Sequence, residues 1–284
     1  MTAKSVVVTG ASTGIGWGIA EVLAKNGFNV FGTVRKQADA DRLKSELGAA
    51  VTPLLMDVTD QQAVTRAADQ VREFLGESTL AGLVNNAGIS VIGPLLYMPL
   101  TEFRRQLEVN LTAPLLVTQA FAKLLGSDRT RQGTPGRIVN ISSVGGRMGL
   151  PFLGAYAASK HALEGMSESL RRELMLYGID VILIEPGFVN TPILDKAEAE
   201  YFGVYRDTDY GAILDRFGKY FITEGRKGLP PQVIGEAVHK ALTVRKPKVV
   251  YTVTQQRFMN WTLPMLLPKR FFDRYLSKQL GLHP

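Results

Sequence analysis

The chain has 284 residues, 45% of them apolar, and 33 Lys and Arg against 26 Asp and Glu give it a formal net charge of +7. That balance suits a globular protein with a sizeable core in one α/β unit, and the scattered cations, densest near the C-terminus, make no nucleic-acid footprint. The absence of cysteine excludes disulfides and thiol chemistry, and three histidines speak against a histidine-cluster metal site, so none is expected.

From the N-terminus, Ser5–Thr9 is a β-branched run that reads as a buried strand. It is too short for a signal-peptide core, and no stretch of 18 apolar residues follows, so a cytoplasmic protein is expected. Gly10-Ala11-Ser12-Thr13-Gly14-Ile15-Gly16 comes next, then helical periodicity over Trp17–Asn26 closed by Gly27, then a second strand over Phe28–Val34. Strand, glycine turn, helix and strand in that order suit a dinucleotide. The backbone must approach a pyrophosphate closely, and the helix N-terminus offers free N–H groups.

The Gly-x-x-x-Gly-x-Gly spacing behind Thr9 resembles the fingerprint of the short-chain dehydrogenase/reductase family. The resemblance implies a Rossmann-type, doubly wound parallel sheet flanked by helices, with a nicotinamide cofactor on Gly10, Ser12, Thr13, Gly14, Ile15 and Gly16. Strand two ends in Thr33-Val34-Arg35-Lys36, with no acid for the ribose hydroxyls of NAD and two cations for the 2′-phosphate of NADP. NADP is therefore expected, with NAD the alternative; a solvated basic turn would look the same in sequence. An amphipathic stretch over Ala38–Leu47 precedes a third strand, Val51–Met56. By resemblance, Asp57 accepts from the adenine amino group with Val58 beside it; by local chemistry, Asp57 caps a turn before a helix over Gln61–Leu75. Ala81–Val84 is a fourth strand running into Asn85-Asn86-Ala87-Gly88. The resemblance makes Asn85 a brace of the sheet and puts Asn86, Ala87 and Gly88 against the cofactor.

A long helix is expected over Thr101–Leu125, with Asn110 inside it, then a breaker-rich loop over Gly126–Gly136 and a fifth strand over Arg137–Ile141. Tyr156 and Lys160, four apart, would share one face if they lie on a helix, and a helix is expected over Ala157–Tyr177. An ammonium beside a phenol favours phenolate and should lower the Tyr156 pKa, suiting it to general acid or base work. The resemblance assigns catalysis to Asn110, Ser143, Tyr156 and Lys160. Ser143 hydrogen-bonds the substrate oxygen, Lys160 also bonds the nicotinamide ribose, and Asn110 bends its helix and holds a relay water. No His–Asp pair adjoins Ser143, which argues against a nucleophilic hydrolase. A sixth strand, Asp180–Ile184, leads to Pro186-Gly187-Phe188-Val189-Asn190-Thr191. By resemblance Pro186, Gly187, Val189 and Thr191 bind the nicotinamide, Thr191 at its carboxamide.

After Pro192 the family pattern thins. Residues 193–229 fall where the family builds its substrate lid, and Tyr201, Phe202, Tyr205, Tyr210 and Phe217 there either line an apolar pocket or form ordinary core. A helix over Gln232–Thr243 and a strand over Lys248–Val253 follow. Residues 255–284 mix aromatics with Lys269, Arg270, Arg274 and Lys278, an ending similar to the hydroxysteroid and retinol dehydrogenase branch. Packing over the cleft or against a second subunit is the plainer expectation, and an anionic membrane surface is the alternative. The whole chain is expected to be one domain. It is expected to move hydride between nicotinamide C4 and an apolar ketone, aldehyde or secondary alcohol, steroid- or retinoid-like, as a homodimer or homotetramer.

Overall fold

A computed structural model describes residues 4–200 and 203–282. Seven strands form one sheet: β1 (Ser5–Val8), β2 (Asn29–Val34), β3 (Val51–Leu55), β4 (Gly82–Asn85), β5 (Arg137–Ile141), β6 (Asp180–Pro186) and β7 (Val250–Val253). Their order is β3-β2-β1-β4-β5-β6-β7 and every neighbouring pair is parallel. The chain winds outward from β1 to β3, then crosses back to β4 on the other side of β1. That reversal leaves a crevice beyond the C-terminal ends of β1 and β4, where ligands of such sheets bind. The register pairs Val8 with both Gly32 and Val84, so the glycine turn and the Asn85-Asn86 turn emerge side by side.

Strand side chains alternate between faces, so each β-branched run feeds two cores. Val6 and Val8 pack with α1 (Gly14–Lys25), α2 (Gln37–Leu47) and, late in the chain, the helix Pro231–Thr243. Val7 packs on the opposite face with α3 (Gln61–Leu75) and further helices. Asp60 starts α3, its carboxylate accepting from the N–H groups of Gln62 and Ala63.

The expected helix over Thr101–Leu125 is broken into α4 (Leu100–Leu107), a π-helical turn (Glu108–Thr112) and α5 (Ala113–Phe121). A second π-helical turn, Lys123–Ser127, contains Gly126 at φ 114°. Hydrophobic periodicity over 25 residues does not register one extra residue in a turn, so the π-helical segment was invisible to it. The next helix, α6 (Gly154–Glu173), begins three residues before the expected Ala157, so that Tyr156 lies in its first turn, and its last expected residues, Leu174–Tyr177, form a 3-10 turn instead. Phe152 just before it has φ 67°, a left-handed conformation that a bulky residue adopts only when its surroundings impose it.

Those surroundings are the helices that follow β6. After β6 come α7 (Ile193–Glu200) and α8 (Gly211–Arg226), then α9 (Pro231–Thr243), a π-helical turn (Phe258–Thr262), α10 (Leu263–Leu266) and α11 (Lys269–Leu280). The Phe152 ring lies 5.3 Å from that of Phe217 and 5.9 Å from that of Tyr210. With Ile92, Tyr205 and Leu214 they form a separate apolar cluster. Tyr205 and Phe217 are therefore ordinary core of this helical segment rather than pocket wall; Tyr201 and Phe202 lie outside the described residues. Among the described residues no helix is long and apolar enough to cross a membrane.

Candidate active site

The glycine turn after β1 is tied down from three directions. Gly10 N–H donates to Thr33 Oγ1 at 3.0 Å, and Ala11 N–H donates to Thr33 O at 2.9 Å. Thr9 Oγ1 accepts from the N–H groups of Asn86 (2.9 Å) and Ala87 (3.0 Å). The Asn86 amide donates to Thr9 O and Gly10 O. Asn86 is thus committed to shaping the turn. Thr9, read in the sequence only as part of the fingerprint, and Thr33, read only as part of strand two, do the same work; a hydroxyl near each strand end is the one local hint of it.

The turn fits a dinucleotide pyrophosphate. A Cβ at Gly16 would stand 2.1 Å from Gly10 O, and one at Gly10, where φ is +68°, 2.9 Å from Ala87 Cα. Only glycine permits backbone so close. Thr13 at the start of α1 makes no side-chain cap, so the first N–H groups of that helix, Ile15 included, face the crevice free of side-chain acceptors and free of acidic neighbours. Thr191 closes the other side: a Cβ on Gly14 would lie 3.2 Å from its side chain. Pro186 ends β6, Gly187 N–H donates to Val253 O at 2.9 Å, and buried Val189 bridges to Leu229.

At the adenosine end, Arg35 and Lys36 are both exposed beyond β2, and neither has a side-chain partner among the described residues. Ser12 O accepts from Arg42, whose guanidinium lies 5.2 Å from the centre of the Trp17 ring. Asp57 Oδ1 accepts from Thr59 N–H (3.0 Å) and Oγ1 (2.8 Å), the local turn role, with Val58 buried beside it. Helix α3 takes its cap from Asp60 instead.

The Asn85 amide donates to Asn140 Oδ1 (2.9 Å) and Thr118 Oγ1 (3.1 Å), bolting β4 to β5 and α5 beneath the crevice. Beyond Gly88, Ile89 is gripped by two amides one helical turn apart. Gln106 Nε2 and Asn110 Nδ2 both donate to Ile89 O, and Asn110 Oδ1 accepts from Ile89 N–H. Asn110 Nδ2 also reaches Ser159 Oγ at 3.2 Å, joining the π-helical turn to α6. Asn110 thus sits in the π-helical turn Glu108–Thr112, with its amide engaged by Ile89 and Ser159.

The structure brings Ser143, Tyr156 and Lys160 together. Ser143 Oγ accepts from Gly145 N–H at 3.0 Å and stands beside the Tyr156 phenol. Lys160 is buried, donates from Nζ to Ile141 O at 2.8 Å, and lies 5.8 Å from the centre of the Tyr156 ring. Burial pushes the Tyr156 pKa above its usual 10, and the neighbouring Ser143 hydroxyl only partly opposes this. The expected lowering by Lys160 is thus corrected: the ammonium is turned to a backbone carbonyl, and desolvation of the phenolate is the larger effect. Desolvation also brings Lys160 down to about 8, against the pull of the Glu164 charge one turn on.

Below the trio lies a polar network absent from any motif. Glu164 Oε1 accepts from Ser142 Oγ at 2.8 Å, and Arg147 pairs with Glu164 and with Glu185, the latter at 3.2 Å. Glu185 Oε2 accepts from Thr252 Oγ1 at 2.7 Å. Both carboxylates are buried, and burial pushes the Glu164 pKa up. The network joins the ends of β5, β6 and β7 to α6 and so supports the Ser143 turn.

A family model described as short chain dehydrogenase matches residues 4–201. The NADPH-dependent 3-dehydrocapnine reductase of Ornithobacterium rhinotracheale is 39% identical, across 98% of this chain and 97% of its own length. Retinol dehydrogenase 5 of Homo sapiens is 32% identical, across 96% and 87%. A short-chain dehydrogenase structure from Streptomyces avermitilis superposes with a TM-score of 0.79 at 26% identity over the whole of both chains. One from Burkholderia phymatum in complex with NAD superposes with a TM-score of 0.74 at 26% identity, over 87% of this chain and 88% of that one.

Proposed function

The chain belongs to the short chain dehydrogenase family, and from that premise we propose that it is an NADP-dependent carbonyl reductase acting on an apolar ketone or aldehyde. The observation carrying this is the trio itself: the partly buried Tyr156 phenol beside the Ser143 hydroxyl, with Lys160 one turn along α6 and donating to Ile141 O. A phenol is protonated at neutral pH, the form a carbonyl needs when its oxygen gains a proton.

NADP would lie with its pyrophosphate on Gly10–Gly16 and its adenine near Asp57 and Val58. Its ribose and nicotinamide would lie along Ala87, Gly88, Lys160, Pro186, Gly187, Val189 and Thr191. Bound there, the reduced nicotinamide supplies the hydride that forms the new C–H bond. Everything else falls to the chain's own residues. The Ser143 hydroxyl holds the substrate oxygen while negative charge grows on it. Tyr156 delivers its proton to that oxygen as the carbon–oxygen double bond becomes single, and the product is the alcohol. The Lys160 ammonium stabilises the phenolate left behind, and a proton from solvent restores Tyr156.

Selection of NADP rests on Arg35 and Lys36, the two cations at the end of β2 that have no side-chain partner among the described residues. The 39% identical relative is itself named for NADPH-dependent reduction, which supports the same choice and direction. An apolar substrate is supported by the retinol dehydrogenase relative. The test is to follow nicotinamide absorbance while crossing NADPH and NADH with steroid, retinoid and aliphatic carbonyls. Turnover of at least one apolar carbonyl with preference for NADPH is expected; preference for NADH, or turnover of no carbonyl, would overturn the proposal.

A further inference from the structure

Eight of the 33 cations and one of the 26 acids, Asp273, follow Val244. The last 40 residues therefore hold the whole formal charge of +7, and the 244 before them are balanced. Five of those cations, Arg257, Lys269, Arg270, Arg274 and Lys278, are exposed, and none has a side-chain partner among the described residues. Charge left unpaired and gathered on one segment is available to an external anion.

The apolar residues of the same segment divide by helix face. On α11, Phe272, Leu276 and Leu280 recur every four positions and are partly buried. Leu280 and Leu282 join the cluster around Phe152 and Phe217, and Arg216 of α8 donates to Leu280 O at 3.0 Å. One side of α11 is thus anchored to α8. On the other side Phe271 is 58% exposed, and Tyr275 stands near the exposed Tyr220 of α8. Just upstream, Phe258 is 62% exposed and Leu266 73%, with Met259 and Met265 also open. Large exposed apolar residues interleaved with unpaired cations are the pattern of a surface that sinks into an interface rather than one that faces water.

We propose that the face made by the turn Phe258–Thr262, α10 and the outer side of α11 docks on an anionic lipid bilayer. Charge complementarity selects this occupant. A second copy meeting this face across a two-fold axis would set five cations against five cations. A nucleic-acid strand needs a groove with stacking platforms, whereas this face adds the aliphatic Met259, Met265 and Leu266 to its aromatics. The fold gives docking a consequence: α11 is fastened to α8, so α8 is held next to the lipid. The docking itself does not depend on the reductase proposal.

The experiment is co-sedimentation of the full chain with vesicles of phosphatidylcholine alone and with about one third phosphatidylglycerol added. Binding is expected only with the anionic vesicles, falling as salt rises. Arg270→Gln and Arg274→Gln should each weaken it about fivefold. The double variant Leu266→Ser with Phe271→Ser should weaken it at least tenfold, with melting temperature unchanged because both side chains face outward. Equal binding to both vesicles, salt-independent binding or no binding would overturn the proposal. So would capture of a single-stranded oligonucleotide in preference to vesicles, or a dimer that these variants dissolve. Wild-type lipid and salt dependence decides the matter even if a variant fails to fold.

Discussion

Replacing Lys160 by methionine tests the electrostatics of the site through stability rather than activity. Lys160 is buried and titrates near 8, where a free lysine titrates near 10.5. Below pH 8 both the folded and unfolded chains carry the proton, so the full penalty of burying the ammonium, about 3 kcal/mol, is present. Between 8 and 10.5 the unfolded chain binds more protons, so wild-type stability rises with pH across that window. The methionine variant would have no such dependence. The substitution also strips Ile141 O of its donor, a loss of about 1–3 kcal/mol. At neutral pH these effects nearly offset, and Lys160→Met should be within about 2 kcal/mol of wild type, and inactive. By about pH 10 the variant should have lost about 3 kcal/mol relative to wild type. Urea unfolding of both proteins across this range measures the difference directly, and groups common to both, Tyr156 included, cancel. A difference that stays constant with pH would refute the claim that Lys160 is a buried ammonium with a depressed pKa.

Three further outcomes follow from the site. Tyr156→Phe should lower kcat for carbonyl reduction about 10²–10⁴-fold while NADPH still binds, checked by turnover and by nucleotide fluorescence titration; retained turnover would remove Tyr156 as the acid. Arg35→Ala should raise KM for NADPH about ten- to hundredfold with little change for NADH, since it deletes a charge-assisted bond that only the 2′-phosphate can use. Gly16→Ala would force a Cβ to within 2.1 Å of Gly10 O. It should cost about 1–3 kcal/mol of stability and raise KM for both nucleotides, seen in melting curves and steady-state kinetics.

What the sequence determined by itself is whatever nearest neighbours along the chain decide. Runs such as Val6-Val7-Val8 and Ile138-Val139 are strands because β-branched side chains pack on a pleated surface. The α/β alternation then leaves a parallel, doubly wound sheet as the natural outcome. The glycine turn and the four-residue spacing of Tyr156 and Lys160 were legible for the same reason, as backbone approach and helix geometry are local. Tertiary structure alone decided where polar groups direct their hydrogen bonds. Asn86 is committed to Thr9 and Gly10, 77 and 76 residues away, because β1 and β4 are neighbours in the sheet. Arg147 meets Glu164 and Glu185 because β5, β6 and α6 converge there. The protonation of Tyr156 and Lys160 belongs to the same class. Spacing puts an ammonium near a phenol, but how much water each keeps depends on everything packed around them. Burial here raises Tyr156 and lowers Lys160, the opposite of what the pair in isolation would do to the tyrosine.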